Sequence, residues 1–230
     1  MPSDDRCDLS GQARGTTVNA YAADVAALAR KDLRLELRAK DTLPAMLLFV
    51  LSILAVFHFA LPPGSGDDAA YGLLWVALVF TALLGLGRAW MPEREGAALD
   101  GLVLAPCDRS AIWLAKTLAT LAFLIAAEVV ALPVFALFFA PLDGTALLGV
   151  ALANIGICAV GSLVAAMAAS SRAHELILPL VFLPLAIPLI VGGVGASISP
   201  HGEKYLLFLV LYDAVFSLLS WASFEYVVTE

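Results

Sequence analysis

From Leu43 onward the chain alternates long apolar runs with short polar interruptions. The runs fall at about Leu43–Leu61, Tyr71–Trp90, Ala111–Ala140, Thr145–Ala169, Leu176–Ile198 and Tyr205–Tyr226. Each reaches the roughly 20 residues that a helix needs to cross about 30 Å of hydrocarbon, so the pattern predicts six transmembrane helices. Pro44 falls in the first turn of the first run, where proline is tolerated. Pro133 is expected to kink the third run, leaving the FALFFAPL stretch at the far membrane interface. The fourth is rich in glycine and alanine, which lets helices approach closely. Pro179, Pro184 and Pro188 predict an irregular or broken helix in the fifth.

Two stretches do not fit this alternation. Residues 1–21 are polar and show little periodicity, so they read as a disordered tail; they lack the apolar core of a signal peptide. Residues 22–41 place Val25, Ala29, Leu33 and Leu37 at helical spacing, with Arg30, Lys31, Arg34 and Arg38 on the other faces. This predicts an amphipathic helix in the membrane interface, its basic side toward anionic headgroups. The LRLELR alternation also fits a strand, but an isolated strand at a membrane leaves its edges unpaired. The domain organisation is thus a tail, 1–21, followed by one six-span unit, 22–230.

The densest polar interruption is 88–110, between the second and third runs. It carries Arg88, Glu93, Arg94, Glu95, Asp100, Asp108 and Arg109, too much charge for hydrocarbon, so it faces water. Glu93 to Leu104 fits a short amphipathic helix with Ala97, Leu99, Leu102, Val103 and Leu104 as its sticky residues, ended by Pro106. A short structured element between two spans suits a grip on a soluble partner. A solvated connecting loop fits the same composition.

Composition narrows the class. Of 230 residues, 61% are hydrophobic and 14% charged, against about half and about a quarter in soluble domains; this is an integral membrane protein. A formal charge of −7 offers no overall basic surface for nucleic acid. Cys7, Cys107 and Cys158 are far apart and form no CxxC or haem-attachment pattern. Lysines and arginines gather on one side: the tail, 22–41, 88–110, Lys116 and Arg172 against Lys204 alone on the other. The positive-inside rule then puts both termini and 88–110 in the cytoplasm.

Candidate chemistry is sparse. The sequence contains no GxxxxGK[ST] phosphate loop, HExxH or GxSxG. Energy for transport therefore comes from an ion gradient or a partner. Glu128 lies well inside the third span, where an ionised carboxylate is costly; it either touches substrate or relays protons, or is a neutral hydrogen-bonding group between helices. Asn154 and Asp213 are further intramembrane polar candidates. His58 and His201 both fall on the outer side, and imidazole is a common axial ligand of haem iron; lone interfacial histidines are the plainer reading. Trp75, Trp90, Trp113 and Trp221 are read as an aromatic belt at span ends. A membrane enzyme needs a convergent catalytic cluster, which Glu128 and Asp213 alone do not supply, and a secondary carrier predicts internal repeats that are not seen.

RKDLRLELR, GLLWVALVFTALLGLGRAW, EREGAALDGLVLAPCDRSAIWLAK and SSRAHELILPLVFLPLAIPLI together resemble the CcmB family, membrane permease subunits of bacterial cytochrome c maturation. The resemblance runs from about Ala26 almost to the end and is most specific between Glu93 and Lys116. It implies a type-II ABC exporter permease fold, all-α, with six spans, an N-terminal amphipathic interfacial helix and a cytosolic coupling helix. By that resemblance Glu93, Arg94, Glu95, Asp100, Asp108 and Arg109 couple the chain to an ATPase. The chain itself is non-catalytic and holds no cofactor firmly, with haem as substrate and ATP bound only through the partner. The implied partners are a second copy of the chain, two copies of the ATPase subunit, a haem-handling membrane subunit, a small single-span subunit and a periplasmic haem chaperone, all at the bacterial inner membrane. A type-II permease for a drug or lipid, or a non-transporting assembly scaffold, would share this topology.

Overall fold

The computed structural model describes residues 18–62, 67–89, 109–169 and 174–227, which form seven helices. These are α1 (Val18–Ala39), α2 (Thr42–Ala60), α3 (Asp67–Ala89), α4 (Arg109–Phe138), α5 (Gly144–Ala169), α6 (His174–Ile198) and α7 (Gly202–Val227). The last six are long and apolar enough to cross a membrane. No strand occurs among the described residues. The chain is a multi-pass, all-helical membrane protein.

The helices form an up-and-down bundle around α5, which packs against α3, α4, α6 and α7. Burial of apolar surface does not by itself drive helices together in lipid; close packing does. Small residues make that possible. A side chain at Gly193 of α6 would run into the indole of Trp75 on α3, and one at Gly161 of α5 into Leu86 of α3. Trp75 is fully buried, and its Nε1 donates to Ser197 Oγ (3.3 Å). Trp113 is buried as well and donates to the Ala159 carbonyl (3.3 Å). These two tryptophans are therefore interhelical packing residues and not belt residues, whereas Trp221 is half-exposed as a belt residue would be.

α4 continues through Pro133 to Phe138, and Phe135 is buried in the core beside Tyr71 and Phe139. The proline expectation for the fifth run needs correction. α6 is one unbroken helix that contains all three prolines. In a bundle, neighbouring helices can serve backbone groups that a proline releases. Within this proline-containing stretch Tyr212 of α7 donates to the Leu185 carbonyl (2.6 Å), a hydrogen bond that ties α7 to α6.

The amphipathic N-terminal helix starts at Val18, so residues 18–21 are helical rather than part of a tail. Its contacts also differ from the expected stripe. Val25 is buried against Ala111 and Ala115 of α4, with Leu28 and Ala29 beside it, whereas Leu37 is exposed. Tyr21 donates to Ser110 Oγ (3.3 Å). The face that meets α4 includes a carboxylate, Asp32, for a reason given below. After a turn at Lys40, whose φ is 58°, the chain enters α2. At the opposite end Asp143 caps α5: its carboxylate accepts from the Ala146 N–H (2.8 Å) and the Thr145 hydroxyl (2.6 Å).

Candidate functional site

Two groups of polar side chains stand out in this apolar bundle. The first lies at the end that carries α1, where α2 and α4 begin and α3 ends. Lys116 sits about two turns into α4 and is only 4% exposed. Its Nζ lies 3.3 Å from Asp32 Oδ2 on α1 and donates to the Ala89 carbonyl, the last residue of α3 (2.8 Å). Lys31 also approaches Asp32 Oδ1 (3.3 Å), from the exposed side. One buried ammonium thus joins three helices. A lysine so enclosed needs a counter-charge and acceptors, which explains why α1 turns Asp32 toward α4. Glu36, a turn beyond Asp32, accepts the hydroxyl of Thr42 at the start of α2 (2.5 Å).

The second group is deep in the spans. Asn154 Nδ2 of α5 donates to Glu128 Oε2 of α4 at 2.6 Å, and both residues are buried. Asp213 of α7 lies against α5 at Gly156, where any side chain would strike its carboxylate. Positions 154 and 156 point to opposite sides of α5, because each residue turns the helix by about 100°. Glu128 and Asp213 therefore flank α5 rather than form one cluster. Glu128 Oε1 and both Asp213 oxygens are buried without a hydrogen bond from the described residues. No group of three or more metal-ligating side chains occurs among those residues.

The other expected site residues divide as follows. Glu93, Arg94, Glu95, Asp100 and Asp108 lie outside the described residues, and Arg109 is the first residue of α4. His58 and His201 both sit at the end opposite α1. His58 is edge-on to Phe59, Phe138 and Phe139, and His201 lies 3.7 Å from Glu203. The histidines thus have separate surroundings.

Sequence reasoning missed the Lys116–Asp32 pair. A faint signal existed: Asp32 interrupts a basic face, and Lys116 interrupts an apolar run just inside a span. The two charges are of opposite sign, but nothing in the order of residues pairs them.

A bundle of this kind, with six membrane-length helices behind an amphipathic helix, defines the class as a multi-pass, all-helical membrane protein. The CcmB protein family model matches residues 23–220, so the chain belongs to the CcmB family. It is 31% identical to Heme exporter protein B of Bradyrhizobium diazoefficiens over 204 residues, covering 85% of this chain and 88% of that protein. Identity is 31% to the Heme exporter protein B of Pseudomonas aeruginosa, covering 74% of this chain and 78% of the relative. It is also 31% to that of Rhodobacter capsulatus, covering 78% and 84%.

Proposed function

We propose that this chain is the membrane subunit of an ATP-driven haem exporter used in c-type cytochrome biogenesis. The observation that carries the reading is the family match along nearly the whole bundle, with relatives named for haem export. In this reading a separate ATPase subunit, present in two copies on a dimer of the chain, docks on the 88–110 segment. ATP closes the ATPase pair, and the motion enters through Glu93 to Arg109. Lys116 supports this route, since it holds the last residue of α3 and the α1 helix to the start of α4, at the two edges of that segment. The spans then shift, and either haem moves outward or the haem-loaded periplasmic chaperone is released. A haem-handling subunit and a small single-span subunit complete the assembly. Both termini and the 88–110 segment are cytoplasmic in the inner membrane; the described lysines and arginines gather at the α1 end, with Lys204 at the other, which supports that orientation.

The test is a strain lacking this chain but supplied with the rest of the system. Covalent haem in c-type cytochromes and haem on the chaperone are stained on one gel. Loss of cytochromes confirms the role in maturation. Haem-loaded chaperone that still accumulates assigns the release step, and loss of both signals assigns haem delivery. Unchanged cytochromes overturn the reading and leave a permease for another cargo.

A further inference from the structure

Both ends of α1 are tied to the starts of spans. Only Lys40 and Asp41 separate its last residue, Ala39, from Thr42, where α2 begins. Toward its other end Tyr21 donates to Ser110, where the α4 span begins. The helix is therefore held at the bilayer surface. One row of its side chains is directed away from the bundle. Arg34 stands nine residues from Val25, which is buried against α4, and so about 180° round the helix from it. Arg30 and Arg38 lie about one turn before and after Arg34, which makes a row of three guanidinium groups about 12 Å long. All three arginines are exposed, and none of their side chains forms an ion pair or hydrogen bond among the described residues. The carboxylates of α1 are engaged or turned elsewhere. Asp32 faces Lys116 and Lys31, and Glu36 accepts the Thr42 hydroxyl. Asp24 lies about 120° round the helix from Arg30, and Asp41, beyond the helix, is matched by its neighbour Lys40.

We infer that this outward face of α1 is a binding site for acidic phospholipids, with Arg30, Arg34 and Arg38 as the donors to their phosphate groups. A guanidinium presents a planar fork of N–H groups that matches phosphate oxygens, and three unpaired ones in a row attract a net negative headgroup over a zwitterionic one. The apolar neighbours choose a lipid over a soluble partner. Leu35 and Leu37 are exposed on opposite sides of the row. Leucines beside arginines on a helix held at the bilayer surface suit the boundary between headgroups and acyl chains, where both kinds of side chain are satisfied. The site backs onto the Lys116–Asp32 contact, which is made by the inner face of the same turns of α1. Acidic lipid on the outer face therefore holds α1 against α4 and strengthens the junction of α1, α3 and α4.

The test is native mass spectrometry of the full-length chain, released from detergent after incubation with phosphatidylglycerol or phosphatidylcholine of identical acyl chains. Phosphatidylglycerol should be retained better, and each of Arg30→Gln, Arg34→Gln and Arg38→Gln should lower that preference about fivefold, the factor expected of one basic side chain at an anionic membrane surface. Lys204→Gln, at the opposite end of the bundle, should leave it unchanged. Replacing the three arginines by lysine should keep most of the preference, and salt at about 1 M should weaken it in the unaltered chain. Thermal unfolding in detergent should shift upward with phosphatidylglycerol and not with inorganic phosphate, which separates a lipid site from a site for free anions. Equal retention of the two lipids, a preference indifferent to the three glutamine substitutions, or an equal shift with inorganic phosphate would overturn the inference. So would glutamine variants that keep the lipid preference but no longer co-purify with the ATPase subunit, since the face would then belong to a protein partner.

Discussion

Lys116 on α4 and Asp32 on α1 face each other across 3.3 Å, and both are nearly excluded from solvent. The contact is more than a pair, because the same ammonium donates to the carbonyl that ends α3. Removing one member of a buried ion pair strands the other charge, at a cost of about 3–5 kcal/mol. Asp32→Leu, which strands the Lys116 ammonium, is therefore expected to lower the unfolding temperature sharply in detergent, and Lys116→Met to lower it less, because Lys31 still faces Asp32. The double substitution should be less harmful than the sum of the two, since it leaves no stranded charge. Additive losses would mean that the two groups act independently.

Glu128 offers a way to separate structure from function. Its Oε2 accepts the Asn154 amide at 2.6 Å. In Glu128→Gln the side-chain oxygen can still accept that bond, so the variant is expected to unfold within about 1 kcal/mol of the native chain. Glu128→Leu leaves the Asn154 amide without its acceptor and should lose roughly 1–3 kcal/mol. Thermal unfolding of both variants, read beside covalent haem in c-type cytochromes, assigns the residue. Matching losses of stability and maturation mark a helix-joining group. A stable Glu128→Gln chain that fails in maturation marks a carboxylate that acts in transport.

The order and number of the spans were legible in the sequence because each is a run of apolar residues longer than a soluble core helix requires. The site at the α1 end was only half legible. Helical spacing announced α1, but the face it buries was set by Lys116, some eighty residues away in the chain, and periodicity carries no information on such partners. The tryptophans misled for a related reason. Trp75 falls near a span end, as a belt residue would, yet Gly193 on α6 leaves a notch that its ring fills. The prolines of α6 misled because sequence rules price a lost hydrogen bond for a helix standing alone in water, whereas here α6 is held along its length by α3, α5 and α7.

The cap of α5 gives a pH-dependent term outside the spans. The Thr145 hydroxyl, and then the Ala146 N–H, hold the Asp143 carboxyl below the usual carboxylate range. A folded-state pKa below the unfolded one means that the cap contributes fully above about pH 4 and that this contribution disappears as pH falls through the lower folded value. Asp143→Ala should cost about 1 kcal/mol at neutral pH. Asp143→Asn, which keeps an acceptor, should cost less and remove the acid-side slope. Thermal melts of the three proteins between pH 3 and pH 7 check this; identical slopes would remove Asp143 from the account.

The remaining prediction concerns the 88–110 segment, of which residues 90–108 lie outside the described residues. Its proposed role as an ATPase-docking element rests on charge and position in the sequence. If Glu93 and Asp100 contact the ATPase, then Glu93→Ala or Asp100→Ala should leave the chain folded and membrane-inserted, because an exposed charge contributes about 0–1 kcal/mol to stability. The same changes should cut cytochrome c maturation several-fold and uncouple it from ATP hydrolysis by the partner. A core substitution such as Gly161→Leu behaves differently: it drives a side chain into Leu86 and should reduce protein level and maturation together. Membrane abundance, ATP turnover of the isolated complex and covalent haem, measured on the same preparations, distinguish the two patterns. Normal cytochrome yield in both alanine variants would remove these carboxylates from the coupling route, and Lys116 and Asp32 would then be the nearest buried charges left to carry it.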